Sequence, residues 1–274
     1  MKSLVYPQAG FSLDKKLKVT PFGKINIKKH REIKGKIKTL TLKREPSGKW
    51  FVCFCVEQEK KQPRINTGKE IGIDLGLKDF ATLSNGIKIN NPKHFKKWEN
   101  KLAFIQRRKD RKKKGSKNRK KANLKIAQLH EKIANCRKDF LHKLSTNFVN
   151  TYSLIALEKL QSQKMAEQNF GKSINDAGWG MFANMLCYKA EEAGSKAVFV
   201  DPKYTTQECN RCGTLSKKEL CDRRHNCPSC GLSMDRDLNA AKVILKRATA
   251  GYAGCNACGV GTIVPSMNQE VLTL

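Results

Sequence analysis

Two kinds of hydrophobic pattern alternate along the chain. Near its start, Lys36–Arg44 alternates weakly and Trp50–Val56 is apolar and rich in aromatic residues, which is typical of β-strands. The residues between them, Glu45–Gly48, have the composition of a turn. The pattern therefore predicts antiparallel β-structure in the first part of the chain.

Residues 92–148 have the period of helices instead. Apolar side chains recur at spacings of three and four in two stretches, which gives each stretch one apolar face. We therefore predict a long helical hairpin. The two arms are marked by Phe95, Trp98, Leu102 and Ile105, and by Ile126, Leu129, Ile133, Cys136, Phe140 and Leu144.

Short apolar runs on both sides of this hairpin indicate a second sheet. Strands interspersed with helices are typical of an α/β domain with a mixed sheet. The hairpin and a later cysteine module interrupt the pattern, and we interpret both as insertions into one domain. The predicted strands lie at 71–76, 81–89, 152–157 and 197–200, and further helices at 181–193 and 238–247.

The charge of the chain narrows the class of partner. Lysine and arginine number 55 against 24 acidic residues, a formal net charge of +31. Nucleic acid is the polyanion that fits this excess best, because neutralised phosphates release their counterions. No apolar run approaches the ~20 residues of a membrane-spanning helix, and residues 1–10 lack a signal-peptide pattern. We expect a cytoplasmic, DNA-associated protein with no membrane partner.

The most basic segment lies between the arms of the predicted hairpin. Residues 107–121 contain eleven lysines and arginines and one acidic residue, around Gly115 and Ser116. A basic run is usually only a solvated face, but its length and its place at a hairpin tip favour contact with nucleic acid. The predicted contact residues are Arg107, Arg108, Lys109, Arg111, Lys112, Lys113, Lys114, Lys117, Arg119, Lys120 and Lys121.

Four cysteines have the spacing of a zinc ribbon. Cys209 and Cys212 form one Cys-x-x-Cys knuckle, and Cys227 and Cys230 form a second. Two such knuckles supply four thiolates to a tetrahedral Zn²⁺, which leaves no open position for chemistry. We therefore predict one structural zinc ion.

Other residues of this region leave alternatives open. His225 and Cys221 lie between the knuckles and are possible substitute ligands. Cys255 and Cys258 form a third Cys-x-x-Cys that has no partner pair, and we expect them to be free thiols.

Three acidic residues stand where they could bind metal. Asp74 lies inside an apolar strand, Glu158 ends another, and Asp237 opens a helix. Carboxylates brought together in this way can hold two Mg²⁺ ions for phosphodiester hydrolysis. Each also has a simpler interpretation: Asp74 as a turn residue before Gly76, Glu158 as a polar strand end, and Asp237 as a helix N-cap.

Around these carboxylates the sequence resembles a known family. Ile73–Ala81 is similar to the first RuvC-type motif of the TnpB (OrfB) proteins of insertion sequences, and Leu157–Leu160 to the second. Asp235–Ala241 is similar to the third, and the cysteine module stands between the second and third as in that family. The basic tip and Asp201–Cys209 are also similar to the family.

The resemblance implies a fold and an activity. The fold is α/β, a ribonuclease-H-like (RuvC-type) mixed sheet with an inserted helical hairpin and zinc ribbon, preceded by a partial β-barrel segment. The activity is that of a Mg²⁺-dependent DNA endonuclease associated with transposition, with Asp74, Glu158 and Asp237 as catalytic ligands of two Mg²⁺ ions. DNA and a guide RNA from the transposon end are the implied partners, in a bacterial cytoplasm.

The resemblance also divides the chain into regions. The partial β-barrel covers 1–57 and contacts nucleic acid, and a linker covers 58–70. The nuclease domain covers 71–248, with the hairpin at 92–148 and the zinc ribbon at 205–233, and a tail covers 249–274. Fewer residues precede Asp74 than family members usually carry, so we expect a member with a shortened N-terminal portion.

Two other functions are compatible with the same residues. One is a nucleic-acid-binding remnant or regulator whose acidic residues are catalytically idle. The other is a transposase that joins strands itself, since ribonuclease-H-like domains with three carboxylates also carry out transposition.

Overall fold

The computed structural model describes most of the chain. The described residues are 2–30, 32–58, 68–167, 170–219, 222–251 and 268–273. Their contacts divide the protein into two compact units. The first comprises Met1–Lys61, Trp98–Ala134 and Thr262–Leu274, and the second comprises Gln62–Lys97 and Asn135–Gly261.

In the described residues, nine strands precede the first α-helix, and the later strands lie between the helices or after them. The strands are β1 (Lys2–Pro7), β2 (Phe11–Leu13), β3 (Leu17–Val19), β4 (Gly23–Ile25), β5 (Lys36–Arg44), β6 (Trp50–Glu57), β7 (Glu70–Leu75), β8 (Asp79–Leu83), β9 (Lys88–Asn90), β10 (Leu154–Glu158), β11 (Lys196–Val200), β12 (Arg224–Asn226), β13 (Ser233–Asp235) and β14 (Asn268–Thr273). The helices are α1 (His94–Asp110), α2 (Lys117–Thr151), α3 (Ser162–Ala166), α4 (Gly171–Ala177), α5 (Trp179–Ala193) and α6 (Arg236–Thr249), and Gln8–Gly10 is a 3₁₀ turn.

The first unit contains two antiparallel sheets. One has the strand order β1-β5-β6-β14 and the other β2-β3-β4. Leu40, Val52 and Phe54 are fully buried in the core of this unit. The predicted turn is present, because the Glu45 N–H donates to the Lys49 carbonyl over 2.9 Å and Gly48 adopts a φ of +86°, which favours glycine.

The predicted helical hairpin is also present, with α1 and α2 as its arms. In the part that belongs to the first unit, Leu102, Leu129 and Ile133 are buried, which confirms the apolar face predicted from the period of three and four. The tip turns through Gly115, whose φ is +81°.

The second unit is a mixed α/β arrangement around a five-stranded sheet. The strand order is β11-β10-β7-β8-β9. β11, β10 and β7 are parallel, whereas β7, β8 and β9 pair antiparallel. Phe80 and Phe182 are fully buried and meet edge to face with ring centroids 5.3 Å apart. The mixed sheet predicted from the short apolar runs is therefore confirmed.

Helix α6 lies directly on one face of this sheet. A Cβ atom added at Gly72 of β7 would lie only 2.1 Å from the Ala241 carbonyl oxygen of α6. Ile244 of α6 also packs with Ala156 of β10 and Val200 of β11. Because Gly72 has no side chain, the helix backbone approaches the strand closely, and this fixes the position of the α6 N-terminus over the sheet.

The structure adds elements that the hydrophobic pattern did not predict. Two short helices, α3 and α4, precede α5, and Gly178 separates α4 from α5 with a left-handed φ of +70°. Within the predicted tail, β14 pairs with β6, because the backbone groups of that strand edge need partners. Most of the predicted linker, residues 59–67, lies outside the described residues.

Candidate active site and metal centre

Asp74 and Glu158 stand side by side at the ends of two parallel strands. Leu157 of β10 pairs with Ile73 of β7, and the next residue of each strand is the carboxylate. Side chains alternate along a strand, so the fully buried Ile73 and Leu157 point to one face and the two carboxylates to the other. Helix α6 packs against Gly72 on that same face, so the two carboxylates and α6 lie on one side of the sheet.

Asp237 reaches the same region from the first turn of α6. The helix is capped by Asp235, whose carboxylate accepts hydrogen bonds from the Asp237 N–H over 2.9 Å and from the Leu238 N–H over 3.1 Å. The interpretation of Asp237 as the helix N-cap is therefore wrong, because that role belongs to Asp235. The Asp237 carboxylate remains available for another role.

Glu158 and Asp237 both lie near enough to Asp74 to affect its charge. Burial raises the pKa of Asp74 well above its usual range, and repulsion from Glu158 and Asp237 raises it further. Burial also raises the pKa of Glu158, against a hydrogen bond from Thr205 and the charge of Arg247. A buried carboxylate whose pKa is raised by neighbouring carboxylates in this way would be stabilised by a shared cation.

Besides Arg247, two other basic side chains border the acidic centre. Lys88 of β9 forms an ion pair with Asp235 at 2.8 Å, and Arg236 lies 3.2 Å from an oxygen of Asp237. The charge of Arg236 lowers the pKa of Asp74, but burial and the neighbouring carboxylates outweigh it. Among the described residues, only the four cysteines form a group of three or more His, Cys, Asp or Glu residues whose ligand atoms are close enough to hold a metal ion. The three carboxylates lie farther apart than these cysteines. The acidic residues thus fit a cation chemically without being tightly assembled around one.

The four cysteines form a compact donor set. Their sulfur atoms all lie within 4.8 Å of one another. Each knuckle is closed by a backbone hydrogen bond, from the Gly213 N–H to the Cys209 carbonyl over 2.9 Å and from the Gly231 N–H to the Cys227 carbonyl over 3.1 Å. Hydrogen bonds with the hydroxyl and the backbone of Thr214 lower the pKa of Cys212 to about 6, whereas burial and the neighbouring cysteines raise that of Cys230 to about 12. A bound cation would favour the thiolate form of all four cysteines. This set could bind zinc.

The alternative ligands do not join this donor set in the described residues. His225 is fully buried, and its Nδ1 atom contacts the amine of Lys218. Cys221, Cys255 and Cys258 lie outside the described residues.

Asn239 connects the cysteine module to helix α6. It is fully buried, and its amide donates to the Glu208 carbonyl over 2.7 Å. Its side-chain oxygen accepts from the backbone N–H of Asn210, inside the first knuckle, over 3.1 Å and from the Asn210 amide over 2.8 Å. The first knuckle is therefore fixed to the helix that carries Asp237.

The predicted contact residues occupy the tip of the hairpin, in the first unit. Most of these side chains are exposed, but Arg119 is half-buried and donates to the carbonyl oxygens of Lys112 over 2.9 Å and Lys109 over 3.4 Å. Arg119 therefore closes the turn between the arms. The exposed members are Arg107, Arg108, Arg111, Lys113, Lys114, Lys117, Lys120 and Lys121.

The structure also identifies residues near the acidic centre that the sequence analysis did not single out. Thr205 donates a hydrogen bond to Glu158, and Arg247 pairs with Glu208 at 2.5 Å. Thr205 lies in Asp201–Cys209, the segment noted for its similarity to the family, and that similarity was the available signal. Arg247 had no signal beyond its position in a predicted helix.

The sequence of the chain matches those of known proteins. A family model described as "Probable transposase" (OrfB of IS605) matches residues 53–169, and a "Cas12f1-like, TNB domain" model matches residues 179–244. A protein of Escherichia coli K12 is 32% identical over 274 residues, which cover 93% of this chain and 67% of that protein. The chain belongs to the TnpB (OrfB) family.

Other relatives agree with this assignment. A protein of Streptomyces pristinaespiralis is 39% identical over 81% of this chain and 55% of its own length. It carries the description "Putative RNA-guided DNA endonuclease", as does the Escherichia coli protein under the name InsQ. The CRISPR-associated endodeoxyribonuclease Cas12f1 of Sulfoacidibacillus thermotolerans is 26% identical over 72% of this chain and 50% of its own length. The chain thus spans between half and two thirds of the length of these relatives.

No helix formed by the described residues is both long enough and apolar enough to span a membrane.

Proposed function

We propose that this protein is a metal-dependent DNA endonuclease that takes its target sequence from a guide RNA encoded at a transposon end. The observation that carries the proposal is the convergence of Asp74, Glu158 and Asp237 from β7, β10 and α6 on one face of the mixed sheet. The descriptions of the relatives from Streptomyces pristinaespiralis and Escherichia coli support the same activity.

The fold proposed for the second unit is ribonuclease-H-like. Its support is the combination of antiparallel β7, β8 and β9 with parallel β10 and β11, together with a carboxylate at the end of the first and fourth of these strands. In this proposal the nuclease domain covers 71–248, with the hairpin 92–148 and the ribbon 205–233 as insertions. Residues 1–57 form the partial β-barrel, 58–70 the linker and 249–274 the tail.

The metal ions have different roles in the two sites. Cys209, Cys212, Cys227 and Cys230 would hold one structural zinc ion, because four thiolates leave no open position. Asp74, Glu158 and Asp237 would hold Mg²⁺, two ions in this proposal, and the bound metal would supply activation of water and stabilisation of the leaving oxygen of a phosphodiester. The protein's own contribution is to bury Asp74 and Glu158, which raises the pKa of each, and to place Asp237 near Asp74, so that a cation bound there would offset their repulsion.

The nucleic-acid partners are proposed to be the target DNA and the guide RNA. The excess of +31 charges and the exposed basic tip supply the sequence-independent attraction to phosphates. Base pairing to the guide would then supply the sequence specificity.

The test begins with purification of the protein expressed beside its native flanking DNA and sequencing of the RNA that remains bound. The complex is then assayed for Mg²⁺-dependent cutting of DNA that matches the RNA, with Asp74→Ala in parallel. We expect one discrete RNA, cutting by the wild type, and RNA binding without cutting by the variant. Absence of a specific RNA would contradict the guided activity, and bound RNA without cutting would favour a catalytically idle binding protein.

A strand-joining transposase is a second candidate, which the description of the matching family model favours. Cleavage that depends on three carboxylates is common to both functions, so the products distinguish them. Recovery of strand-joined products from purified protein and transposon ends would establish the transposase. Cut ends alone would support the endonuclease.

A further inference from the structure

Thr205 is a polar residue that is buried in a surface loop. It is only 2% exposed, in a loop between β11 and the first cysteine knuckle whose neighbouring residues, Tyr204 and Thr206, are exposed. Its hydroxyl donates to the Oε1 atom of Glu158 and also lies 3.0 Å from the Pro202 carbonyl. A buried hydroxyl needs such partners, and here one of them is an acidic-centre carboxylate.

The loop that carries Thr205 is held at several points by α6. The Arg247 guanidinium donates to the carbonyl oxygens of Asp201 and Lys203, each over 2.9 Å, and pairs with Glu208. Farther along, Asn239 bonds to the Glu208 carbonyl. Both ends of the loop are therefore attached to the helix that presents Asp237.

The backbone of Glu158 is fixed as well. The N–H of the next residue, Lys159, donates to the Val200 carbonyl of β11 over 2.9 Å. Strand pairing does not fix the rotation of the Glu158 side chain, and the hydrogen bond from Thr205 restricts that rotation. Because Thr205 bonds to Oε1, the second carboxylate oxygen is left for a cation.

We propose that Thr205 is a positioning residue for Glu158, and that Arg247 holds the Thr205 loop in place and so connects the cysteine module to the acidic centre. The inference rests on the proposed function in one respect, that Glu158 binds a divalent cation. A hydrogen-bond partner that orients a metal ligand usually contributes strongly to metal affinity. The acidic centre would therefore acquire its geometry from the same loop that leads into the cysteine knuckles.

The test measures binding of Mn²⁺ to the full-length, zinc-loaded protein by electron paramagnetic resonance, since Mn²⁺ prefers oxygen ligands over thiolates. Thr205→Val keeps the shape of the side chain and removes the hydroxyl. We expect it to weaken Mn²⁺ binding by about tenfold, the lower end of the usual effect of losing such a partner. Thr205→Ser, which keeps the hydroxyl, should restore most of the affinity, and the matched control Thr206→Val should leave it unchanged.

Zinc content and melting temperature are measured on every variant, so that a loss of folding is not mistaken for a loss of positioning. If Thr205→Val does not fold, Glu208→Gln weakens the Arg247 contact instead and should reduce Mn²⁺ affinity in the same direction by a smaller factor. Equal affinities for wild type, Thr205→Val and Glu208→Gln would overturn the inference.

The outcome is separable from that of the proposed function. Mn²⁺ binding that requires Asp74 but not Thr205 would be consistent with the proposed nuclease and would contradict the positioning role of Thr205. Mn²⁺ binding that requires both residues, without cleavage of any DNA, would support the positioning role and contradict the nuclease. Absence of Mn²⁺ binding in the wild type would overturn this inference together with the proposed magnesium centre.

Discussion

The cysteine module and the acidic centre are both candidate metal sites, yet they are built in opposite ways. The four sulfur atoms come from one short segment, Cys209–Cys230, and lie within 4.8 Å of one another. Each half of that site is a turn closed by its own backbone. The carboxylates of the acidic centre come from Asp74, Glu158 and Asp237, three distant segments that meet only through strand pairing and helix packing.

This difference shows which part of each site depends on local sequence and which depends on the fold. Each knuckle specifies the geometry of its own turn, so the module depends on the rest of the fold mainly through the contacts of Asn239, and a metal ion would close it. The acidic centre needs the β7–β10 register, the close approach of α6 at Gly72, and the loop held by Arg247. Substitutions should therefore affect the two sites to different degrees.

The largest effect is expected from Cys212→Ser, which removes a proposed zinc ligand whose side chain is exposed and not part of the core. The variant should lose its zinc, and the module should unfold, since binding of structural zinc contributes about 10–16 kcal/mol in isolated zinc-finger peptides. Zinc content per chain and thermal melting measure this. Cys53→Ser, at a half-buried cysteine of β6, is the control and should keep its zinc. Full zinc content in Cys212→Ser would show that the cysteines do not form the metal site.

A second substitution breaks the acidic centre without touching the cysteines. The added Cβ of Gly72→Ala would lie 2.1 Å from the Ala241 carbonyl, so α6 must move. We expect the free energy of unfolding to fall by about 3 kcal/mol, the upper end of overpacking effects, with zinc retained. Denaturant titration measures the change. Gly10→Ala meets only the Tyr6 side chain, at 3.1 Å, and is the near-neutral control. Equal stability of both variants would mean that α6 does not pack as described.

The charge of Asp74 should affect the stability of the folded protein. Because the folded-state pKa of Asp74 is raised, its ionised form destabilises the folded protein at neutral pH when Mg²⁺ is absent. Asp74→Asn should then be more stable than the wild type by at least about 1 kcal/mol, since one pKa unit corresponds to about 1.4 kcal/mol. As the pH falls through the folded-state pKa of Asp74, the wild-type residue becomes neutral and the difference should shrink.

Chemical denaturation of both proteins across this pH range, in Mg²⁺-free buffer, measures that difference. A difference that grows on acidification would reverse the sign and contradict the assigned electrostatics. Addition of Mg²⁺ should stabilise the wild type more than Asp74→Asn.

The smallest effect is expected from Lys88→Met. It removes the 2.8 Å ion pair with Asp235, but both side chains are about 40% exposed, so the contribution to stability is about 0.2–1 kcal/mol at most. Asp235 keeps its two backbone hydrogen bonds at the start of α6. Thermal melting at low and high salt measures the change. A loss comparable with that of Gly72→Ala would show that the acidic centre depends on this pair as well as on α6 packing.

The features that local sequence specifies were predicted well. The apolar run around Asp74, the period of the helical hairpin and the knuckle spacing each fix an element without information from elsewhere in the chain.

The features that depend on tertiary contacts were not predicted. Asp235 and Asp237 both precede the apolar face of α6, and only the observed hydrogen bonds show which one caps the helix. Thr205 is exposed or buried according to where its loop lies, and that position is set by Arg247, in a helix that begins far along the chain. Neither interaction leaves a periodic pattern that could be read from the sequence.

The close approach at Gly72 has a consequence for synthesis of the protein. Asp237 follows Asp74 by more than half the length of the chain, and the helix that carries it is seated on a strand made much earlier. While the ribosome is still translating, β7 and β10 can pair, but the face that receives α6 remains open to solvent. A nascent chain therefore holds two of the three carboxylates and not the third. Under the proposed function, this order of assembly would keep unfinished protein from cutting the DNA of the cell that makes it.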